Sequence, residues 1–289
     1  MVGRVRPSRL AGSWYPGAAG ELAASADRLC ESWPARAYAG AAGGIVPHAG
    51  WMYSGRTAAA VFAAVCDCRP ETCVVFGAVH VYGVDRPALS DHAGWQTPLG
   101  IIEVDIELGQ ATLESGRGLI EANGLAHREE HSIEVEIPFI QRSFPDARLL
   151  AIMVPPDPDA ARVGEAVAAA ARQLQRSVLF FGSTDLTHYG PRFGFVPKGT
   201  GLAAHQWAKA NNDRRMLDLI AELRAGEIVG EAARSRNACG PGAAAAAVAA
   251  ARAWGSKRAA ILEHTTSYEV APEAAAEDFV GYAAAAFIA

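Results

Sequence analysis

Lysine is scarce in this sequence, with three residues among 289, so arginine supplies most of the positive charge. The chain has no run of basic residues, and its formal net charge is −5. Proteins that bind nucleic acids usually carry a basic patch or stripe. The charge pattern therefore argues against a nucleic-acid partner.

Long hydrophobic runs are also missing. The longest run of small apolar residues, 243–251, is far shorter than the roughly 20 residues that a membrane-spanning helix needs. The first residues contain no apolar stretch of signal-peptide length. We therefore expect no membrane partner and a cytoplasmic location.

Several catalytic motifs are absent as well. The sequence contains no G-x-S-x-G nucleophile elbow, no Walker A motif and no G-x-G-x-x-G after a predicted strand. Its five cysteines are an odd number in a long chain, which does not suggest a disulfide framework. These absences argue against a serine hydrolase, a nucleotide cofactor and a disulfide-stapled scaffold.

What is present is an alternation of buried strands and helices, with 51% hydrophobic and 20% charged residues. Short, unbroken apolar runs predict strands covered on both faces, and longer amphipathic or alanine-rich segments predict helices. Segment 131–139 suits either a strand or a helix start. The predicted strands are 44–46, 73–79, 101–106, 149–154, 178–181, 258–263 and 280–288, and the predicted helices are 18–33, 55–66, 159–174, 201–224, 226–236 and a last helix that follows Gly242 and ends at Trp254. The pattern predicts one α/β domain over residues 1–289, with a central, mostly parallel or mixed sheet flanked by helices.

Three of the apolar runs finish in a histidine: His48, His80 and His188. Parallel strands bring their carboxyl ends to one edge of the sheet, where ligands bind in α/β folds. Neutral imidazole is the commonest metal ligand in proteins, and two histidines with one anionic ligand leave a metal partly open. Asp185, His188 and Cys239 each qualify as the third ligand.

Cys239 precedes Gly240-Pro241-Gly242 and a predicted helix. The amides at a helix N-terminus favour a thiolate, and glycine lets the backbone approach a ligand closely. Asp185 and His188 lie three residues apart and suit an acid/base pair or a pair that orients a ligand.

Other side chains are weaker candidates. His131 follows two glutamates and fits a solvated charged loop at least as well as a site. Trp14, Tyr15, Trp51 and Tyr53 suit either a binding groove or core packing.

A series of motifs resembles the Memo family, and the similarity runs through nearly the whole chain. In order, the motifs are GSWYP at 12–16, PHAGWMYSG at 47–55, TPLG at 97–100, EEHSIEVEIPF at 129–139, STDLTHYG at 183–190, ACG at 238–240 and GYAAAAF at 281–287. The resemblance implies a fold like that of class III extradiol dioxygenases. It also implies that His48, His80 and Cys239 match the family's metal-binding positions, with Asp185 and His188 beside them.

The family resemblance implies more than one functional class. The first hypothesis is a metal-dependent redox enzyme or oxygenase acting on a small substrate, with one metal ion: iron(II) first, and copper or zinc as alternatives, because a thiolate is a soft ligand. The second is a scaffold that binds a peptide or partner in the same cleft, and the third is a zinc hydrolase. The resemblance further implies radical-SAM and AMMECR-type proteins as partners.

Overall fold

The computed structural model describes residues 3–34, 38, 40–272 and 276–289. In chain order the strands are β1 Val5–Arg6, β2 Gly43–Val46, β3 Thr72–Gly77, β4 Ala88–Leu89, β5 Gly94–Thr97, β6 Gly100–Glu103, β7 Glu121–Ala122, β8 Arg148–Met153, β9 Val178–Ser183, β10 His188–Tyr189, β11 Arg258–Thr266 and β12 Phe279–Ile288. The α-helices are α1 Ala19–Glu31, α2 Trp51–Ala64, α3 Ile106–Ser115, α4 Ile137–Ser143, α5 Ala160–Gln173, α6 Leu202–Trp207, α7 Arg214–Ala221, α8 Ala225–Ser235, α9 Pro241–Trp254 and α10 Ser267–Val270. A 3₁₀ turn, Glu134–Glu136, precedes α4, and a π-helical turn, Ala208–Asp213, joins α6 to α7.

The main sheet is mixed, as the sequence predicted, and its centre is parallel. Strands β2, β9, β3 and β8 are parallel neighbours in that order. The antiparallel strands β12 and β4 extend the sheet at either side. A separate small sheet contains β1, β5 and β6. The predicted α/β class is confirmed.

Side chains alternate across the central strands and fill two hydrophobic cores. Val74 and Phe76 of β3 belong to the core beneath α5 and α9, whereas Cys73 and Val75 belong to the core beneath α1 and α2. Two-sided burial explains why these strands lack the polar alternation of a half-exposed sheet. Because β2, β9 and β3 are parallel neighbours, their carboxyl ends meet at one edge of the sheet.

One strand end differs from the prediction. The strand predicted to end at Ile106 ends at Glu103 in β6, and Ile106 begins α3 because the Asp105 side chain caps that helix by accepting a hydrogen bond from Leu108 N–H. Segment 131–139, for which a strand and a helix start were both open, takes the second form, with the 3₁₀ turn followed by the start of α4. Among the described residues, each helix is too short or too polar to cross a bilayer.

Helices α5 and α9 pack closely because small residues line their contact. A Cβ atom on Gly164 of α5 would lie 1.9 Å from the carbonyl oxygen of Ala246 in α9. Real Cβ atoms do not approach a carbonyl oxygen so closely, so the helices would have to move apart. Gly164 thus sets the distance between α5 and the helix that begins beside Cys239.

Replacing Gly164 with alanine is expected to lower the free energy of unfolding by about 1–3 kcal/mol, because overpacking forces backbone shifts. Gly226→Ala in α8 is the matched control, since no atom lies within 4 Å of its ideal Cβ position. That control should leave stability unchanged or raise it by about 0.4–1 kcal/mol. Urea unfolding measures both, and equal effects from the two changes would contradict this account of the helix contact.

Candidate metal centre

His48 lies two residues beyond β2 and is 1% exposed. Its Nδ1 is 2.8 Å from the hydroxyl oxygen of Ser183, at the end of β9. That hydroxyl donates a hydrogen bond to the carbonyl oxygen of Ser132 at 2.6 Å, so it accepts a hydrogen bond from the protonated Nδ1 of His48. His48 Nε2 is then unprotonated, and it faces Cys239 Sγ at 3.1 Å.

His80, in the loop after β3, is oriented by a buried glutamate. Its Nδ1 is 3.0 Å from Glu130 Oε1, and its backbone N–H donates to Glu130 Oε2 at 2.7 Å. Burial alone would raise the pKa of Glu130, but His80 and the Ser132 amide lower it to about 2. The ionised carboxylate holds the proton on His80 Nδ1 and leaves Nε2 free to bind a ligand.

Cys239 lies in the loop directly before α9. Its Sγ accepts a hydrogen bond from the backbone N–H of Asp185 at 3.3 Å. The next residue, Gly240, packs so closely that a Cβ atom there would lie 2.6 Å from the carbonyl oxygen of Ser183. The absence of a side chain on Gly240 therefore lets this loop pack against the end of β9. The sequence suggested that the glycine makes room for a ligand, whereas in the structure it makes room for another part of the backbone.

The protonation of Cys239 also differs from the sequence-based expectation. Burial, together with the nearby Asp185 carboxylate, raises the pKa of the Cys239 thiol. Desolvation of the buried Cys239 sulfur outweighs the effect of the helix dipole. The N-terminus of α9 is therefore not sufficient by itself to keep the Cys239 thiol ionised. A cation that binds the sulfur has to displace its proton.

The structure brings His48, His80 and Cys239 together. One nitrogen from each histidine and the cysteine sulfur all lie within 4.8 Å of one another. Metal–nitrogen bonds of about 2.1 Å and metal–sulfur bonds of about 2.3 Å allow ligands on opposite sides of one ion to be about 4.4 Å apart. Small side-chain movements therefore suffice for these residues to hold one metal ion.

Asp185 and His188 lie beside these three residues, and both are close to Cys239. Asp185 Oδ1 accepts the backbone N–H of His48 at 2.8 Å, and Asp185 Oδ2 is 3.9 Å from His188 Nε2. Burial raises the pKa of Asp185 to about 7, and burial together with His80 lowers the pKa of His188 to about 4. His188 is thus neutral at pH 7, and its buried Nε2 has no hydrogen-bond partner among the described residues. Asp185, His188 and Cys239 form a second group with metal-like spacing.

His131 belongs to the cluster, so its interpretation as part of a solvated loop is wrong. Its ring stacks on that of His80, with the ring centroids 4.5 Å apart, and makes a tilted contact with Trp14 at a centroid distance of 4.7 Å. Burial, followed by the effect of His80, lowers the pKa of His131 to about 4. A third group with metal-like spacing contains His80, Glu130 and His131. Since Glu130 already accepts four N–H groups, we assign it an orienting role.

The remaining histidines have ordinary structural contacts. His127 Nε2 is 2.9 Å from the carbonyl oxygen of Ala88, and His205 Nε2 is 2.9 Å from Thr266 Oγ1. His92 Nδ1 is 3.1 Å from Ser90 Oγ. None of these three contacts involves a residue of the cluster.

A cavity of about 800 Å³ lies next to Trp14. Its lining includes the four aromatic residues that the sequence suggested for a groove: Trp14, Tyr15, Trp51 and Tyr53. Tyr15 and Trp51 are only 3% and 7% exposed and also pack in the core. Trp14 connects the cavity to the histidine cluster through its contact with His131.

Comparison with known proteins gives consistent matches along the chain. A family model described as "Memo-like protein" matches residues 6–286. A MEMO1 family protein of Thermococcus onnurineus is 37% identical over 253 residues, which cover 84% of this chain and 86% of the relative. Similar proteins from Methanothermobacter thermautotrophicus and Methanococcoides burtonii are 35% and 36% identical, and the alignments cover 83% and 84% of this chain and 82% and 84% of those relatives.

Proposed function

The chain belongs to the Memo-like family, and on that premise we propose that it is a metal-dependent redox enzyme or oxygenase acting on a small substrate. Its metal ligands are His48, His80 and Cys239. The observation that carries the proposal is the 3.1 Å approach of His48 Nε2 to Cys239 Sγ, with His80 in the same group. Two imidazoles and a thiolate suit iron(II), copper and zinc. Iron(II) is the first choice of metal and copper is the redox alternative, whereas zinc, which has no redox chemistry, belongs to the hydrolase hypothesis.

The donor set fits a catalytic metal better than a purely structural one. Structural zinc sites use four protein ligands, whereas three protein ligands leave a position for substrate or oxygen. Ser183 and Glu130 contact Nδ1 of the two histidines, which leaves Nε2 of each ring as the nitrogen available to a metal. A bound iron ion would supply one-electron and oxygen chemistry.

The other polar residues of the cleft supply proton transfer. His188 is neutral because its pKa is about 4, so its unpartnered Nε2 is able to accept a proton from a substrate hydroxyl or thiol. Asp185 lies 3.9 Å from that nitrogen and stabilises the imidazolium that would form. Asp185 also holds the backbone of His48, which couples the proton acceptor to a metal ligand.

A second candidate function is a scaffold that binds a peptide or protein partner. The cavity of about 800 Å³ lined by aromatic side chains next to Trp14 favours it. This second candidate includes the radical-SAM and AMMECR-type partners that the family resemblance suggests. It also includes a cytoplasmic location.

Metal analysis of protein purified without oxygen tests the primary proposal. We expect about one iron per chain with an oxygen-sensitive spectrum. His80→Ala should lose the metal, whereas His92→Ala, outside the cluster, should retain it. One zinc per chain would instead favour a zinc hydrolase, in which a metal-bound water is the nucleophile.

The primary proposal and the scaffold candidate predict different results for metal binding. Failure of the wild type to bind any metal after reconstitution would overturn the primary proposal. If partner binding were then unchanged in the double variant His48→Ala, His80→Ala, the scaffold would be the better account. The partner assay uses the full chain with purified candidate proteins.

A further inference from the structure

Two loops that contribute to the metal cleft are far apart in the sequence. One contains Asp185 and His188 after β9, and the other contains Cys239 before α9. A ligand set must be held within about 0.5 Å of its working geometry to bind one ion well. The π-helical turn Ala208–Asp213 contacts both loops.

This turn interrupts an otherwise α-helical stretch and buries two polar residues. Asn212 and Asp213 are each 1% exposed, whereas the neighbouring Asn211 is exposed. π-Helical turns are rare and often occur at functional sites, because the extra residue redirects side chains. Here the redirected side chains point to the residue that precedes His188.

Asp213 holds Thr187 by two hydrogen bonds. Its Oδ1 accepts the Thr187 backbone N–H at 3.0 Å and also the Thr187 hydroxyl. Its Oδ2 is 2.9 Å from His264 Nε2. The carboxylate fits because residue 281 is glycine: a Cβ atom there would lie 2.4 Å from Asp213 Oδ2.

Asn212 reaches both loops at once. Its Nδ2 donates to Thr187 Oγ1 at 3.0 Å and to the carbonyl oxygen of Ser235 at 2.9 Å. The backbone carbonyl oxygen of Asn212 accepts a hydrogen bond from Asn237 Nδ2 at 2.8 Å. Thr187 and Asn237 are fully buried, so water does not compete for these bonds. Cys239 follows Asn237 by two residues.

We propose that Asn212 is a positioning residue that sets the distance between the Asp185–His188 loop and the Cys239 loop, and thereby the metal affinity of the cleft. The inference rests on the proposed metal site. The Asn212 side chain acts through Thr187 and through the carbonyl oxygen of Ser235, and among the described residues it makes no hydrogen bond to a proposed metal ligand. Residues that orient metal ligands in this indirect way typically change metal affinity by about 10–100-fold when replaced.

The test uses cobalt(II) as the probe, because its thiolate charge-transfer band reports the metal–sulfur bond directly. Asn212→Ala is expected to weaken cobalt binding about 10–100-fold and to weaken or shift that band. Asn211→Ala, in the same turn but exposed, should match the wild type in both measurements. In the metal-free protein, amide hydrogen exchange at Thr187 and Cys239 should be faster in Asn212→Ala and unchanged in Asn211→Ala.

Two further variants separate positioning from a loss of overall stability. Val163 is a buried core residue of α5. Val163→Ala should lower Tm without changing cobalt affinity. If Asn212→Ala does not fold, Asn237→Ala removes the bond to the Asn212 backbone and a 3.2 Å bond to Glu231 Oε1, leaves the bond from Asn212 to Thr187 in place, and should reproduce the weaker thiolate band. Wild-type affinity and spectrum in a folded Asn212→Ala or Asn237→Ala variant would overturn the inference. An absence of cobalt binding in the wild type would instead refute the proposed function.

Discussion

Replacing Cys239 with serine is expected to lower metal affinity by more than about 100-fold, since even changes to residues that only orient ligands cost about 10–100-fold. A serine hydroxyl is a much poorer ligand than a thiolate at neutral pH. The fold should persist, because serine and cysteine are similar in size and the backbone N–H of Cys239 would still donate to the Asp185 carbonyl oxygen at 3.2 Å. Competitive titration with a coloured chelator measures the affinity, and the exposed Cys66→Ser is the matched control.

The pH dependence of binding gives a second signature of the same ligand. Burial raises the pKa of Cys239, so the thiol is protonated before the metal binds and one proton is released on binding. Affinity in the wild type should therefore rise about tenfold per pH unit above about pH 8, where Asp185, with a pKa of about 7, is already ionised. This rise should disappear in Cys239→Ser. Unchanged metal content in that variant would remove Cys239 from the ligand set.

The second large effect is expected at Arg6, which is 1% exposed and forms a buried ion pair with Glu134. Arg6→Met should lower the free energy of unfolding by about 3–5 kcal/mol, because it leaves an uncompensated buried carboxylate. Arg6 also donates to the carbonyl oxygens of His127 and Glu130, at 2.7 Å and 2.8 Å. Losing the second bond should additionally loosen the segment that orients His80. Guanidinium unfolding measures the stability.

A double variant separates the ion pair from the rest of the arginine's contacts. Because a buried ion pair can be replaced by apolar residues at little cost, Arg6→Met with Glu134→Leu should recover part of the stability lost in the single variant. Recovery is expected to be incomplete, since Glu134 also accepts hydrogen bonds from Arg9 N and Tyr15 Oη at 2.8 Å each. A single variant as stable as the wild type would show that the pair contributes nothing to folding.

The sequence predicts those parts of the site that depend on strand ends. His48, His80 and Asp185 follow apolar runs that are buried on both faces, and such runs are identifiable without coordinates. Cys239 was predictable from its position before a helix, and its family motif made the prediction specific. The mixed sheet was predictable from the alternation of strands and helices.

Glu130 and His131 were harder to predict because no regular element ends at them. They lie in a loop whose position depends on long-range contacts, including the bond from Arg6 to the Glu130 carbonyl oxygen. The two adjacent glutamates look like a solvated surface, yet Glu130 is buried and Glu129 is exposed. The pKa of Cys239 was equally unpredictable, since burial depends on the complete fold and opposes the local effect of the helix.

The contact between α5 and α9 restricts how the cleft responds to an ion. Gly164 leaves no free space against Ala246, and a Cβ atom on Gly242 would lie 2.2 Å from the Pro155 carbonyl oxygen, so α9 is packed tightly against its neighbours at both points. The sulfur is anchored at the start of that helix, and His48 is enclosed, whereas the His80 side chain is 29% exposed. If these three residues bind an ion, His80 is the ligand with the most freedom to adjust to its radius, within the limits set by the contact of its Nδ1 with Glu130.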